Sequence, residues 1–336
     1  MPPGFDYDDH ERFDRPRRHT RPRTKNRPSY EDAAVAVVVT VDRGRFTCWL
    51  ADEDATVTAM KSRPLGRKGV VVGDRVRLVG DVNGTEGALA RIVEVEDRRT
   101  VLRRTADDTD PIERVIVANA DQLVVVTALA DPEPRPRLLD RALVAAYDAG
   151  LNPLLCLTKP DLADPEKVLA TYRPLGVPYV VVQRGHDPVD LRAKLAGRTS
   201  VLIGHSGVGK STLVNALVPG AGRAIGHVNE VTGRGRHTST SALMLRLPSY
   251  DGGDAGWIVD TPGIRSFGLA HVDPARLIDA FPDLAEATED CPRGCTHSGS
   301  EPECGLDEAA AAGTVDPDRV GSFRRLLASR ERAEDD

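Results

Sequence analysis

One octapeptide constrains this chain more than any other stretch: Gly204-His205-Ser206-Gly207-Val208-Gly209-Lys210-Ser211. It is a Gly, four residues, then Gly-Lys-Ser. Residues 200–203 ahead of it read as a short buried strand, and residues 211–217 after it read as a helix. Glycines let the backbone curl so that successive N–H groups point inward at phosphate oxygens, at a helix N-terminus. Lys210 is placed to reach the β- and γ-phosphates, and the Ser211 hydroxyl to sit on Mg²⁺, with Thr212 next in the phosphate cradle. The stretch implies a nucleoside triphosphate site on an α/β sheet.

Bulk properties narrow the setting. A composition of 40 % hydrophobic and 29 % charged residues is that of a soluble globular chain. No apolar run approaches the roughly 20 residues that span a bilayer, and the N-terminus lacks the apolar core of a signal peptide, so a cytoplasmic protein with no membrane partner is expected. The net charge of −6 excludes a uniformly basic nucleic-acid binder but not local basic patches. Three of the five cysteines crowd into residues 291–304, a metal signature rather than a disulfide scaffold.

Residues 1–32 read as a disordered arm in which a few acids precede seven cations from Arg15 to Arg27. Such a block suits nucleic-acid phosphate, or serves simply as a solubilising tail. Residues 33–105 read as an all-β unit, with strands at 34–41, 45–50, 56–60, 75–79 and 88–95 separated by Gly, Asp and Asn turns. Five short strands suit an OB-type barrel, with an SH3-like barrel an equal competitor. Cations at Lys61, Arg63, Arg67 and Lys68, and again at Arg98, Arg99, Arg103 and Arg104, point towards RNA.

Residues 106–270 read as the α/β unit, with strands at 122–127, 154–157, 179–182, 200–203, 242–247 and 257–259 and helices at 138–149 and 188–195. The last strand runs into Asp260-Thr261-Pro262-Gly263. An Asp at a strand end holds Mg²⁺ through water, and the Gly263 N–H meets the γ-phosphate. The strand at 154–157 runs into Thr158-Lys159-Pro160-Asp161. A carboxylate at Asp161 accepts from guanine N1–H and the 2-amino group, donors that adenine lacks there, while the Lys159 stem flattens over the base. Thr158 stands where Asn is usual. This guanine motif precedes the phosphate loop, the reverse of an ordinary small GTPase, so the same sheet requires a circular permutation.

Residues 271–336 carry Cys291, Cys295, His297 and Cys304. Three thiolates and one imidazole make a closed Cys₃His set, suited to one structural Zn²⁺ with no open coordination position. Arginines 319, 324, 325, 330 and 332 on the helices at the end of the chain suit either RNA or a solvated face.

In this order the motifs resemble the circularly permuted ribosome-assembly GTPases of the RsgA (YjeQ) type, over about 300 residues. Ala118-Asn119-Ala120-Asp121, residues 204–211, residues 233–240 (Gly-Arg-Gly-Arg-His-Thr-Ser-Thr), residues 260–265 and the Cys/His cluster carry the resemblance. It implies an OB barrel, a permuted GTPase and a C-terminal helical zinc domain. It further implies GTP hydrolysis to GDP stimulated by the small ribosomal subunit during late maturation, with rRNA contacted by the flanking domains. Gln183-Arg184-Gly185 replaces the usual Ser-Ala guanine motif and is assigned no contact.

Where many small GTPases carry a water-orienting Gln, this chain has Ile264, which can neither donate nor accept a proton. The polar stretch 233–240 is therefore expected to supply the missing groups: Thr238 by preference, or Thr240, on Mg²⁺ and the γ-phosphate, and His237 as the catalytic imidazole. The protein is expected to act as a monomer. Two competing readings are an rRNA-binding module with incidental hydrolysis and, in third place, a P-loop metabolic kinase, which leaves Asp161 and Asp260 without a task.

Overall fold

The computed structural model describes residues 30–65, 69–85, 87, 89–105, 112–221, 242–249, 252–262, 268–300 and 303–331. The chain separates into Met1–Asp32 and Ala33–Asp336, and every described strand and helix belongs to the second unit. Most of the expected basic arm, Arg67, Lys68, Arg332 and the whole of 233–240 lie outside the described residues.

Five strands close a barrel: β1 (Ala34–Asp42), β2 (Arg45–Leu50), β3 (Ala55–Lys61), β4 (Arg75–Val79) and β5 (Ala90–Val95). Alternate residues point inward, so Val38, Cys48, Val57, Ala59, Val76, Leu78 and Ile92 form one core. The β1–β2 hairpin turns through Arg43 and Gly44, both at positive φ, the twist that a two-residue hairpin loop needs. Strand order decides between an OB-type and an SH3-like barrel. It runs β1-β2-β3-β5-β4 and closes back on β1, with β3 and β5 parallel. A meander would pair β3 with β4; this is the OB order.

A hairpin that the sequence pattern did not separate out, β6 (Val101–Arg104) with β7 (Arg114–Ala118), comes after the barrel. Its end locks onto the barrel at Gly73, where a Cβ would stand 2.0 Å from the Ala118 carbonyl oxygen. Asn119 then donates from Nδ2 to the Gly73 carbonyl (3.0 Å) and accepts from the Arg99 N–H (2.8 Å). Two residues on, Asp121 accepts the Thr199 N–H at 2.8 Å. The Ala118–Asp121 segment thus ties barrel to sheet through side chains.

The second sheet comprises β8 (Gln122–Ala128), β9 (Asn152–Thr158), β10 (Tyr179–Val182), β11 (Thr199–Ile203), β12 (Leu243–Arg246) and β13 (Trp257–Asp260). Its order is β10-β9-β8-β11-β13-β12, all parallel except β12. Read from β11 through β13 and then from β8 through β10, it is the sheet of a GTPase whose chain begins at the phosphate-loop strand, so the expected permutation is present. Strands β8, β9 and β11 are buried along almost their whole length and mostly apolar, as a sheet covered on both faces requires. Strand β12 also pairs with β1, at Leu243 and Thr40, so this sheet runs on into the barrel strands, and Trp49 stacks edge-on against Trp257 at 4.8 Å.

Helices α1 (Pro136–Asp148), α2 (Glu166–Tyr172), α3 (Val189–Leu195) and α4 (Lys210–Leu217) cover the sheet. Beyond β13 come a 3₁₀ turn (Pro274–Ala280), α5 (Pro282–Glu286), α6 (Gly305–Ala312) and α7 (Pro317–Glu331). Helix α7 buries Val320, Phe323, Leu326 and Leu327 in the core that α1 also faces. Phe281 joins Tyr147 to Phe323 through edge-on ring contacts of 4.9 and 5.4 Å. Burying each such Phe contributes about 1.5–3 kcal/mol. Among the described residues no helix is long and apolar enough to cross a membrane.

Candidate nucleotide site and metal centre

In an open parallel sheet, ligands gather outside the carboxyl ends of strands where the strand order reverses. Here the reversal lies between β8 and β11, because the chain builds outward from β8 through β9 and from β11 through β13. The sequence-predicted motifs sit at those strand ends. Gly204 leaves β11 so close to β8 that a Cβ would stand 2.5 Å from the Val126 carbonyl oxygen. Gly207 and Gly209 have φ of +86° and +96°, where L side chains are strained, and Gly209 opens α4. Val208 between them is buried, His205 places Nδ1 2.8 Å from the Ser206 carbonyl oxygen, and Ser206, Ser211 and Thr212 are exposed.

Lys210, the first residue of α4, donates to the Asp260 carboxylate and the Thr261 carbonyl. The lysine of the phosphate loop and the acid at the end of β13 are therefore neighbours. Thr261 is pinned in turn, its hydroxyl donating to the Leu202 carbonyl at 2.8 Å.

Thr158 stands where Asn is usual, and its surroundings show how it serves. It is buried, and its hydroxyl donates to the Val208 carbonyl at 2.6 Å, with the Thr127 carbonyl oxygen at 3.3 Å. The shorter side chain still bridges from the end of β9 to the phosphate loop. Lys159, at a φ of +58°, donates to the Asp131 carbonyl, and Asp161 is exposed.

Sequence reasoning passes over the β8–α1 loop as a mere connector. In the fold it supplies the carbonyl that holds Lys159, and Pro132 Cδ would lie 3.6 Å from a Cβ on Gly207. A signal is present in the sequence: prolines at 132, 134 and 136 stiffen a segment that runs over both motifs. Gly263, His237 and Thr238 lie outside the described residues.

The Cys₃His group assembles as a cluster. The Sγ atoms of Cys291, Cys295 and Cys304 and Nδ1 of His297 all lie within 4.8 Å of one another. Nδ1 is 3.8, 3.4 and 3.8 Å from the three sulfurs in that order. A tetrahedral ion with ordinary zinc–sulfur and zinc–nitrogen bonds sets that edge at about 3.6 Å. His297 has φ of +59°, which turns its ring towards the thiols, and the Gly305 N–H donates to Cys291 Sγ at 3.2 Å. The residues fit a metal ion held entirely by protein.

The basic clusters read for RNA look different in three dimensions. Arg98 grips the buried Asp74 with bonds of 2.7 and 2.9 Å, Arg99 pairs with Asp121 and Arg103 with Glu113. On α7, Arg325 binds Asp140 and the Thr171 carbonyl, Arg319 binds Asp283 and the Pro174 carbonyl, and Arg330 donates to the Val272 carbonyl. These arginines are partly buried and fasten the helix to its neighbours.

Known proteins share this architecture. A family model described as RsgA GTPase matches residues 95–270. The small ribosomal subunit biogenesis GTPase RsgA of Pseudomonas putida is 44 % identical over 223 residues, 64 % of this chain and 63 % of that one. The chain thus spans less than two thirds of that relative's length. The protein of the same description from Azotobacter vinelandii is 39 % identical over 269 residues, 77 % of this chain and 75 % of that one. The crystal structure of YjeQ from Thermotoga maritima superposes with a TM-score of 0.65 at 26 % identity, covering 89 % of this chain and 98 % of that one. YloQ, described as a circularly permuted GTPase, shares the fold with a TM-score of 0.64 at 21 % identity, over 90 % of this chain and 96 % of that one.

Proposed function

Because the chain belongs to the RsgA GTPase family, we propose that it binds GTP and hydrolyses it to GDP and phosphate while small ribosomal subunits mature. One observation carries the reading. At the sheet's point of reversal the end of β9 is bonded to the phosphate loop through Thr158 and the Val208 carbonyl, and the start of α4 to the end of β13 through Lys210 and Asp260.

In this reading the backbone N–H groups of 204–209 cradle the phosphates, Lys210 supplies the cation for the β- and γ-phosphates, and Thr212 comes next in the cradle. Ser211 and Asp260, the latter through water, hold Mg²⁺, and Thr238 completes that set. Bound magnesium neutralises charge on the β- and γ-oxygens. The Asp161 carboxylate selects guanine, with Lys159 under the base, and the Gly263 N–H meets the γ-phosphate. Water attacks the γ-phosphorus in line, the bond to the β–γ bridging oxygen breaks, and His237 orients the water and takes its proton.

The Cys₃His group holds one structural Zn²⁺. The divisions 1–32, 33–105, 106–270 and 271–336 are arm, barrel, GTPase and zinc domain, the protein acts as a monomer in the cytoplasm, and its arm and barrel loops contact rRNA. With the arginines of α7 bonded to neighbouring carboxylates and carbonyls, RNA contact falls on the arm and on the 61–68 loop, rather than on α7.

The test is hydrolysis of GTP with and without purified small subunits, against ATP. Subunit-dependent turnover of GTP alone is expected. A rate indifferent to subunits removes the ribosomal part, and equal turnover of ATP removes the guanine assignment.

A further inference from the structure

The group of arginines on α7 contains one that does more than fasten the helix. Arg324 donates from Nη1 and Nη2 to the two carboxylate oxygens of Asp307, at 2.7 and 2.8 Å. That fork fixes the plane of the guanidinium. The remaining donors then point at the Cys₃His group from one side. Nε donates to the His297 carbonyl at 3.1 Å, and Nη2 lies 3.8 Å from Cys304 Sγ. One planar cation therefore touches the backbone of one ligand and the sulfur of another, seven residues apart.

The loop between them is shaped to admit it. A Cβ on Gly299 would stand 3.2 Å from both Cζ and Nε of Arg324, so a side chain there would push the guanidinium away. His297 holds a positive φ, a conformation that a non-glycine residue keeps only where surrounding bonds enforce it, and Arg324 binds its carbonyl.

We propose that Arg324 is a positioning residue for the metal. It holds the His297 backbone so that Nδ1 faces the three sulfurs, and it places a fixed positive charge beside the Cys304 thiolate. Lysine cannot do both, because an ammonium lacks the fork that fills Asp307 while leaving donors for the loop. The inference rests on the reading of the Cys₃His group as a zinc site and substitutes none of the four ligands that reading assigns.

The experiment uses the full chain. Zinc bound to the wild type after purification without chelator is measured first, and its absence would remove the zinc reading itself. With zinc present, release to a chromophoric chelator is compared for wild type, Arg324→Met, Arg324→Lys and Arg325→Met. Hydrogen-bond partners of metal ligands are typically worth about 10- to 100-fold in affinity. Arg324→Met is expected to lose zinc affinity in that range, and Arg324→Lys to recover only part. Arg325→Met, which frees the same helix from α1 without touching the metal loop, is expected to stay within about threefold. With Co²⁺ in place of zinc, the thiolate-to-metal absorption band should shift in Arg324→Met and stay in place in Arg325→Met. Wild-type zinc affinity in Arg324→Met, or an equal loss in Arg325→Met, would overturn the proposal.

Discussion

Replacing Thr158 with Val tests whether this hydroxyl organises the phosphate loop or merely fills the core. The two side chains have nearly the same shape, and the site is buried, so packing is conserved while one hydrogen bond is removed. The bond lost is the 2.6 Å donation to the Val208 carbonyl, with the Thr127 carbonyl 3.3 Å away. Leaving a buried acceptor without its donor costs about 1–3 kcal/mol. If the loop stays where it is, that cost appears as stability, a fall in midpoint of roughly 2–4 °C per kcal/mol in a chain of this size. If the loop moves to find water, ordering it again is charged against nucleotide binding, and the same 1–3 kcal/mol raises the Kd for GTP by about 5- to 150-fold. The expected result for Thr158→Val is the second, because Val208 lies between two glycines at positive φ, whose peptide units can turn its carbonyl towards water while the side chain stays buried. Thr158→Ser keeps the hydroxyl, so it should bind GTP like the wild type while losing about 1 kcal/mol of stability for its methyl group. Fluorescent-nucleotide titration and urea unfolding give both numbers. A Thr158→Val protein whose Kd stays within about twofold of wild type would refute the argument.

Three further outcomes are expected. Asp161→Asn should trade GTP for XTP, with about 2–4 kcal/mol lost for GTP, since the amide offers a donor where guanine needs a charged acceptor; unchanged GTP affinity counts against the assignment. His237→Ala should leave GTP and subunit binding intact while subunit-stimulated hydrolysis falls about 100-fold or more, and surviving stimulation would move the catalytic role elsewhere. His271 is one pH-sensitive group among the described residues. Its side chain is 3 % exposed, its Nδ1 is buried without a partner, and burial lowers its pKa from 6.5 despite Asp148 3.8 Å away. A depressed imidazole pKa means that the unfolded chain binds more protons, so this contribution is present above 6.5 and is lost as pH falls towards the folded value. Burial raises the Asp148 pKa above 3.8, a change that acts with the opposite sign, so the comparison is made against His271→Asn, which keeps Asp148. Unfolding curves of the two proteins should diverge below pH 6.5, the variant being less acid-sensitive, and parallel curves would refute the assignment.

By itself the sequence determined the chemistry that depends on contiguous residues. A phosphate loop needs its glycines, lysine and serine in one short run, because the backbone between them forms the cradle. The same locality made Asp260, Thr158-Lys159-Pro160-Asp161 and the Cys₃His spacing legible, and their order along the chain disclosed the permutation. Tertiary structure alone decided what depends on partners from distant segments. The OB order of the barrel rests on the parallel pairing of β3 with β5, and no alternation of apolar residues records which strand a strand will meet. The substitute for the missing Asn was invisible, because the Thr158 hydroxyl finds its acceptor 50 residues away. The arginines of α7 show the difference most sharply. In sequence they are a run of cations suited to RNA or water. In the folded protein their charge is engaged by Asp140, Asp283, Asp307 and backbone carbonyls brought from elsewhere. Which acceptors a cation meets is settled by where the rest of the chain goes, and no run of charges in the sequence records it.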